Sequence, residues 1–179
     1  MMDQGLLQIW GMRMMFILLA LVVLFFHLLP LDPSPSQWAG PDILVAIVFA
    51  WAVRRPDYVP ILLVAGVMLL ADLMLQRPPG LWSMLVVCAA EWLKARERRQ
   101  REPTFILEWL TFASTLIVIT ILYRTVLTVL ILGSGTKMLT LTQVLMTIAA
   151  YPLVVGVSHL VFGVRRAAPG EVDRLGRAI

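Results

Sequence analysis

Several long apolar runs dominate this chain, and they restrict its possible folds more than any other feature of the sequence. Of its 179 residues, 60% are hydrophobic and only 15% are charged, whereas a soluble domain carries roughly 25% charged residues. A helix needs about 20 mainly apolar residues to cross the hydrocarbon core of a bilayer. The chain has too few polar side chains to cover a water-soluble globule, so the sequence predicts an all-α integral membrane protein.

Six segments of the chain are predicted to cross the membrane. The predicted spans are about 14–30, 41–53, 58–75, 81–93, 105–123 and 139–164. The second and fourth are short for a bilayer, so length alone would also permit re-entrant or partly buried elements. The spans form a single polytopic domain over 1–179, with a basic loop at 94–103 and a tail at 165–179. The first span is predicted to stay uncleaved, because its apolar run is longer than that of a secretion signal.

The distribution of cations favours six crossings. If the N-terminus is cytoplasmic and all six segments cross, twelve Lys and Arg residues lie inside and only three, Arg77, Arg124 and Lys137, lie outside. Short cytoplasmic loops of membrane proteins carry such an excess of positive charge. Removing the second or the fourth span would place several cations outside. The sequence therefore predicts that both termini and the basic loop are cytoplasmic.

The segments between the spans are consistent with this topology. The turn at 76–80, with the sequence QRPPG, cannot continue a helix because of its prolines, so the third and fourth spans are predicted to form a hairpin. The stretch at 124–137 is too apolar for a free loop. It is predicted to extend the fifth helix or to form an interfacial segment. The basic loop is predicted to be a solvated cytoplasmic surface, with docking to anionic lipid or to an acidic protein as the alternative.

Asp72, near the outer end of the third span, is the most informative candidate site. An ionisable group at the centre of a bilayer costs about 2.5–3.5 kcal/mol, so it needs a reason to be there. Ala65, Met68 and Asp72 share one helical face, and the small residues Ala65 and Gly66 would let another helix approach closely. Asp72 either lines a cavity or a helix contact, or it bonds to Arg77 or to the backbone of the QRPPG turn.

Other polar and small residues indicate packing and not chemistry. Glu91 and Glu108 flank the basic loop, and both are predicted to form interfacial ion pairs with its arginines. Ala46 and Ala50 are four residues apart in the second span. Such a small-xxx-small pair is typical of close contact between helices in membranes.

No pattern typical of an enzyme or of a cofactor site is present. Cys88 is the single cysteine, which excludes an internal disulfide and a cysteine metal cluster. The chain contains neither a P-loop nor a dinucleotide glycine pattern, and each of these would have indicated phosphate binding. The sequence therefore predicts no cofactor, no metal and no nucleic-acid partner. It favours a scaffold or binding role over an enzyme.

A series of short motifs occupies the middle of the chain. In order they are Pro41-Asp42, Trp51, Arg55-Pro56, Tyr58-Val59-Pro60, Gly66, Leu70-Ala71-Asp72-Leu73 and Pro79-Gly80-Leu81. Together they cover about residues 41–94 and resemble the MreD family, which consists of small multi-pass rod-shape-determining proteins of bacteria. One feature departs from the family pattern, because its usual glycine nearer the aspartate is missing and Gly66 is six residues away.

The resemblance implies a non-catalytic protein of the bacterial inner membrane that supports side-wall peptidoglycan synthesis and rod shape. It implies MreC as a direct partner. MreB, the glycan polymerase RodA and RodA's partner transpeptidase are implied in the same complex. The family's fold is similar to that of the S components of energy-coupling-factor transporters, which implies a lateral pocket. By position, Pro41, Asp72, Pro79 and Gly80 match the family motifs, and structural roles are expected for them.

Two other functions are compatible with the composition. One is a small-molecule-binding subunit of a transporter, similar to those S components. They carry an Ala-x-x-x-Ala contact on the first helix, where this chain has only Ala20. The other is an intramembrane enzyme, for which Asp72 would be the acid or base.

Overall fold

A computed structural model of the protein describes residues 2–29, 39–98, 104–130 and 137–164. Within these ranges the chain forms six α-helices, one short 3-10 helix and no strand, which confirms the all-α prediction. In chain order the elements are α1 (Met2–Leu28), α2 (Ile43–Arg54), the 3-10 helix (Pro56–Tyr58), α3 (Ile61–Met74), α4 (Leu81–Glu97), α5 (Phe105–Val129) and α6 (Lys137–Phe162).

Three of the helices in the described ranges are long and apolar enough to cross a membrane. They are Leu7–Leu28 within α1, Phe105–Val129 as the whole of α5, and Met138–Phe162 within α6. Helices α2 and α3 are apolar but shorter. The chain therefore contains helices of the membrane-spanning type, as the hydropathy of the sequence predicts.

Helix α2 forms the centre of the bundle. Every residue from Leu44 to Val53 is buried, and the helix packs mainly against α6 and α4. A helix that is apolar on all sides is stable only when other elements surround it. Ala46 and Ala50 are both fully buried, as expected for the small pair that the sequence places at a helix contact.

One end of the bundle, here named the Arg54 end after the last residue of α2, joins α1, α2 and α5. The guanidinium of Arg13 in α1 donates two hydrogen bonds to the Asp57 carbonyl, at 3.2 and 3.1 Å. Arg54 itself contacts Glu108 in the first turn of α5. Lys94 in α4 also donates to the Val59 carbonyl just before α3, so α2 and α4 end where α3 and α5 begin.

The opposite end, here named the Asp42 end, joins the start of α2 to α6 and to the turn between α3 and α4. The Asp42 N–H donates to Thr147 Oγ1 at 2.8 Å, and Asp42 Oδ2 lies 3.6 Å from Arg77 Nη1. Arg124 near the end of α5 donates to Thr140 near the start of α6. Successive helices therefore run in opposite directions, with α1, α3 and α5 antiparallel to α2, α4 and α6.

The helix boundaries differ from the predicted spans for local reasons. Helix α1 begins at Met2, so Arg13 lies inside the helix and not before it. Helix α4 continues to Glu97 because Lys, Ala, Arg and Glu are strong helix formers. Helix α5 extends to Val129, in agreement with the predicted extension of the fifth helix.

The remaining predictions on loops concern parts outside the described residues. These parts are 99–103 of the basic loop, 131–136 of the stretch at 124–137, and the tail at 165–179.

Candidate functional site

Asp72 is fully buried near the end of α3, where it holds the first turn of α4. Its Oδ2 accepts hydrogen bonds from the N–H groups of Gly80 at 3.2 Å and Ser83 at 3.0 Å. The first amides of a helix have no partner within the helix, so Asp72 caps α4 from the neighbouring helix. Of the predicted arrangements, the structure forms the bond to the backbone of the turn. The side chain of Arg77 instead contacts Asp42.

The turn between α3 and α4 depends on Pro79 and Gly80. Gly80 has a φ of +89°, a left-handed conformation that glycine adopts without steric cost. Pro79 is exposed and directly precedes Gly80. It interrupts helix formation, because proline lacks the N–H that a helix interior requires. Asp72, Pro79 and Gly80 therefore belong to one unit, the α3–α4 hairpin.

Asp42 makes several contacts at the Asp42 end, although in the sequence it is notable only as part of the Pro41-Asp42 motif. Its Oδ1 accepts from the Val45 N–H at 3.2 Å, which makes it the N-cap of α2. Aspartate is strongly preferred at this position, so the Pro41-Asp42 pair before an apolar run was a usable signal. The same residue binds Thr147 of α6 through its backbone and Arg77 through its carboxylate. Asp42 thus links α2, α6 and the hairpin.

Ala65 and Gly66 lie away from this site. Gly66 is exposed, and a Cβ added there would meet no atom within 4 Å. The close helix approach predicted at Gly66 is therefore not made within the described chain. Ala65 is half-buried, whereas Met68 and Asp72 are buried. The inward face of α3 is offset from Gly66 because successive helix residues are rotated by roughly 100°.

Glu108 forms a buried ion pair at the Arg54 end. Arg54 donates through Nε to Oε1 and through Nη2 to Oε2, both at 3.1 Å, and the Tyr151 hydroxyl donates to Oε1 at 2.8 Å. The Glu108 side chain is only 1% exposed. The prediction of ion pairing was right, but the arginine identified here comes from α2 and not from the basic loop. This cluster joins α2, α5 and α6.

Lys94 also forms polar contacts at the Arg54 end. Its Nζ donates to the Val59 carbonyl at 2.7 Å and to Glu91 Oε1 at 2.6 Å. The ion pair predicted for Glu91 is therefore present, with a lysine of the basic loop as its partner. Lys94 is buried, so this part of the predicted loop is a structural contact and not a solvated surface.

Two cavities lie on either side of the contact between Asp42 and Arg77. The first, of about 120 Å³, is bordered by α4, α5 and α6 and is lined by polar groups that include Asp42, Arg77, Trp82, Tyr123, Arg124 and Gln143. The second, of about 320 Å³, has mainly apolar walls from α1, α2 and α3 and includes Pro41 and His27. Both open at the Asp42 end. Each is large enough for a small group to bind.

The described residues do not assemble a metal centre. No group of three or more His, Cys, Asp and Glu side chains lies close enough to hold an ion within these ranges. The buried acids Asp72 and Glu108 accept hydrogen bonds from amides, an arginine and a tyrosine. The arrangement can therefore hold helices together, and at the first cavity it can bind a small polar group.

Comparison with known proteins identifies no relative of this chain. The chain matches no family model, no curated protein and no solved structure. Its function is therefore inferred from the residues of this chain. These are the hairpin built by the motif residues, the polar contacts at the two ends of the bundle, and the apolar helices.

Proposed function

We propose that this protein is a non-catalytic scaffold of the MreD type in the bacterial inner membrane. In this role it binds MreC and supports side-wall peptidoglycan synthesis together with MreB, RodA and the partner transpeptidase of RodA. The observation that supports the proposal most is the structural role of the motif residues in the α3–α4 hairpin. Asp72 accepts the amides of Gly80 and Ser83, so the residues that resemble the family build the α3–α4 hairpin.

The proposal includes six crossings with both termini in the cytoplasm. The antiparallel order of successive helices supports it. Helices α2 and α3 are short, at roughly 18 and 21 Å for their 12 and 14 residues. Because α2 is enclosed by other helices, it need not match the thickness of the lipid around the bundle. In this topology the Asp42 end faces the periplasm and the Arg54 end faces the cytoplasm.

The exterior of the bundle suits partners that are themselves embedded in lipid. Large apolar side chains are exposed along α1, α5 and α6, among them Leu18, Phe25, Ile121, Leu153 and Leu160. Contiguous exposed apolar surface marks contact with a membrane or with another protein. We therefore place the MreC contact on this surface, with the membrane anchor of MreC packed against it.

The cavities favour a second candidate, a substrate-binding subunit of a transporter. Pockets that bind small molecules are concave and mainly apolar, as the 320 Å³ cavity is. In the S components, however, small alanines on the first helix contact the coupling subunit, whereas Ala20 of this chain is 1% exposed. A buried Ala20 cannot serve as such a contact, so the scaffold remains the preferred function.

Affinity purification in a mild detergent tests the scaffold. The tagged protein should recover MreC from its native membrane, and its depletion should turn rod-shaped cells into spheres. An unrelated multi-pass membrane protein with the same tag is the control for recovery. Rods that persist after depletion, together with a preparation free of MreC, would contradict the proposal. A small molecule that copurifies and raises the melting temperature would instead support the transporter subunit.

A further inference from the structure

The 120 Å³ cavity at the Asp42 end has no role in the proposed scaffold, yet its walls carry an excess of positive charge. Arg77 and Arg124 provide two guanidinium groups, and Asp42 provides one carboxylate. Arginine in a site partly removed from water binds carboxylate or phosphate oxygens through charge-assisted hydrogen bonds. The cavity therefore favours an anionic group.

The acid that lines the cavity compensates one of the two guanidinium groups, because Asp42 Oδ2 lies 3.6 Å from Arg77 Nη1. Asp42 accepts an amide at the start of α2, and Asp72 accepts two amides at the start of α4. The N-terminus of a helix carries a partial positive charge, which offsets each carboxylate locally. Among the lining side chains there is thus one more cation than there are carboxylates.

Trp82 adds a hydrogen-bond donor that is otherwise unused. The residue lines the cavity and is 7% exposed, and its Nε1 has no hydrogen-bond partner among the described residues. The Trp82 ring contacts the Arg77 guanidinium, 5.7 Å from its centroid, and the Tyr123 ring, with 5.1 Å between the two centroids. Since buried donors in proteins are rarely left without an acceptor, this N–H indicates that a ligand with acceptor atoms completes the site.

The surroundings of the cavity indicate where such an anion comes from. Apolar side chains line part of it, namely Leu116, Leu127 and Val144. Beside it, Leu130 at the end of α5 and Leu141 in α6 are exposed. An acyl chain could lie along these leucines while its headgroup enters the cavity. At about 120 Å³ the cavity takes a phosphate group and not a whole lipid.

We propose that this cavity binds the phosphate group of an anionic phospholipid, with Arg77, Arg124 and the Trp82 N–H as the donors. The bound lipid would come from the leaflet at the Asp42 end. The proposal depends on the six-span part of the proposed function, which puts this end at the periplasmic headgroups, but it does not depend on binding of MreC.

Native mass spectrometry of the full-length protein in a neutral detergent tests the site. Titration with phosphatidylglycerol should give at least tenfold tighter binding than titration with zwitterionic phosphatidylcholine. The double variant Arg77→Gln/Arg124→Gln should lose at least tenfold in affinity for phosphatidylglycerol. The matched control is Arg96→Gln, which removes an exposed arginine at the other end of the bundle and should leave the affinity unchanged.

A variant that should increase the affinity for phosphatidylglycerol complements the double variant, because a folding defect would only lower this affinity. Asp42→Asn keeps an N-cap residue, because asparagine caps helices as well as aspartate does, and it removes the negative charge from the cavity. It should therefore bind phosphatidylglycerol several-fold more tightly. Unchanged or weaker binding by Asp42→Asn would count against the site.

The remaining outcomes separate the possible sources of the anion. Equal affinity of the double variant and the wild type would overturn the proposal. Binding of inorganic phosphate but not of phosphatidylglycerol, with the same dependence on the two arginines, would overturn the lipid source. A double variant that keeps the lipid but loses MreC would assign the cavity to an acidic segment of a partner. A double variant that loses the lipid but still recovers MreC would support the lipid site. If the wild-type protein binds lipid through the two arginines but never recovers MreC, the lipid site is supported and the scaffold is refuted.

Discussion

Individual buried acids in this protein accept hydrogen bonds that tie one element to another. Asp72 receives two amides of α4, and Glu108 receives Arg54 and Tyr151. A buried charge is tolerated only when it is paired and hydrogen-bonded. Glu108 has both an ion pair and hydrogen bonds, whereas Asp72 is hydrogen-bonded through Oδ2 only and its Oδ1 has no hydrogen-bond partner among the described residues. At the scale of single residues, the polar groups inside the bundle thus stabilise it.

The cap provided by Asp72 leads to a prediction on two substitutions. In Asp72→Asn the side-chain carbonyl can still accept both amides, so we expect the free energy of unfolding in detergent to change by less than about 1 kcal/mol. Asp72→Ala leaves buried amides without an acceptor and should cost about 1 to 3 kcal/mol. Equilibrium unfolding in mixed micelles measures both. An asparagine variant as unstable as the alanine variant would show that the charge itself is required.

The ion pair at the Arg54 end predicts strong coupling between two residues. Removing one partner of a buried pair costs about 3 to 5 kcal/mol, so Arg54→Met and Glu108→Met should each be severely destabilising. The double variant Arg54→Met/Glu108→Met leaves no unpaired charge and should recover much of this loss. A double-mutant cycle on unfolding measures the coupling. Additive effects of the two single changes would mean that the pair is not buried in the protein.

At the scale of elements, the hairpin of α3 and α4 is the unit that the motif residues define. Gly80 combines a positive φ with an N–H bonded to Asp72, so this glycine serves both the turn and the cap. Gly66, in contrast, lies in the middle of α3 with open space around it. The two glycines of the motif region therefore have different roles, although both belong to the resemblance.

Substitution of the two glycines by alanine should have opposite effects. Gly80→Ala forces a side chain into the left-handed region and should cost about 1 to 2 kcal/mol. Gly66→Ala adds a methyl group at an open position of a helix and should stabilise it by about 0.5 to 1 kcal/mol. Melting temperatures of the two variants provide the measurement, with each serving as the control for the other. A destabilised Gly66→Ala would indicate a helix partner at that face.

The sequence predicted local relations better than distant ones. The bond between Asp72 and the turn was among the predicted alternatives because the partners lie within 11 residues. The contact of Asp42 with Thr147 spans 105 residues, and that of Arg54 with Glu108 spans 54. Hydropathy finds the apolar helices but contains no information on which polar side chains meet across them. For the same reason the cavity between α4, α5 and α6 could not be located from the chain.

For the molecule as a whole, a short central helix is enclosed by longer apolar helices, and polar contacts gather at the two ends. The interior of the bundle is held by α2, which is buried from Leu44 to Val53, while α1, α5 and α6 expose apolar side chains. Such a molecule is suited to lipid on the outside. The proposed scaffold function depends on which end of the bundle faces the cytoplasm and on how many times the chain crosses the membrane.

Accessibility of single cysteines tests the six-span topology most directly. Gly40 at the Asp42 end and Ala95 at the Arg54 end are both exposed, so Gly40→Cys and Ala95→Cys are a matched pair in a Cys88→Ala background. A membrane-impermeant maleimide applied to intact spheroplasts should label Cys at position 40, whereas position 95 should react only after lysis. Labelling of position 95 in intact spheroplasts would contradict the six-span topology. It would also contradict the proposed MreD-type scaffold, which depends on that topology.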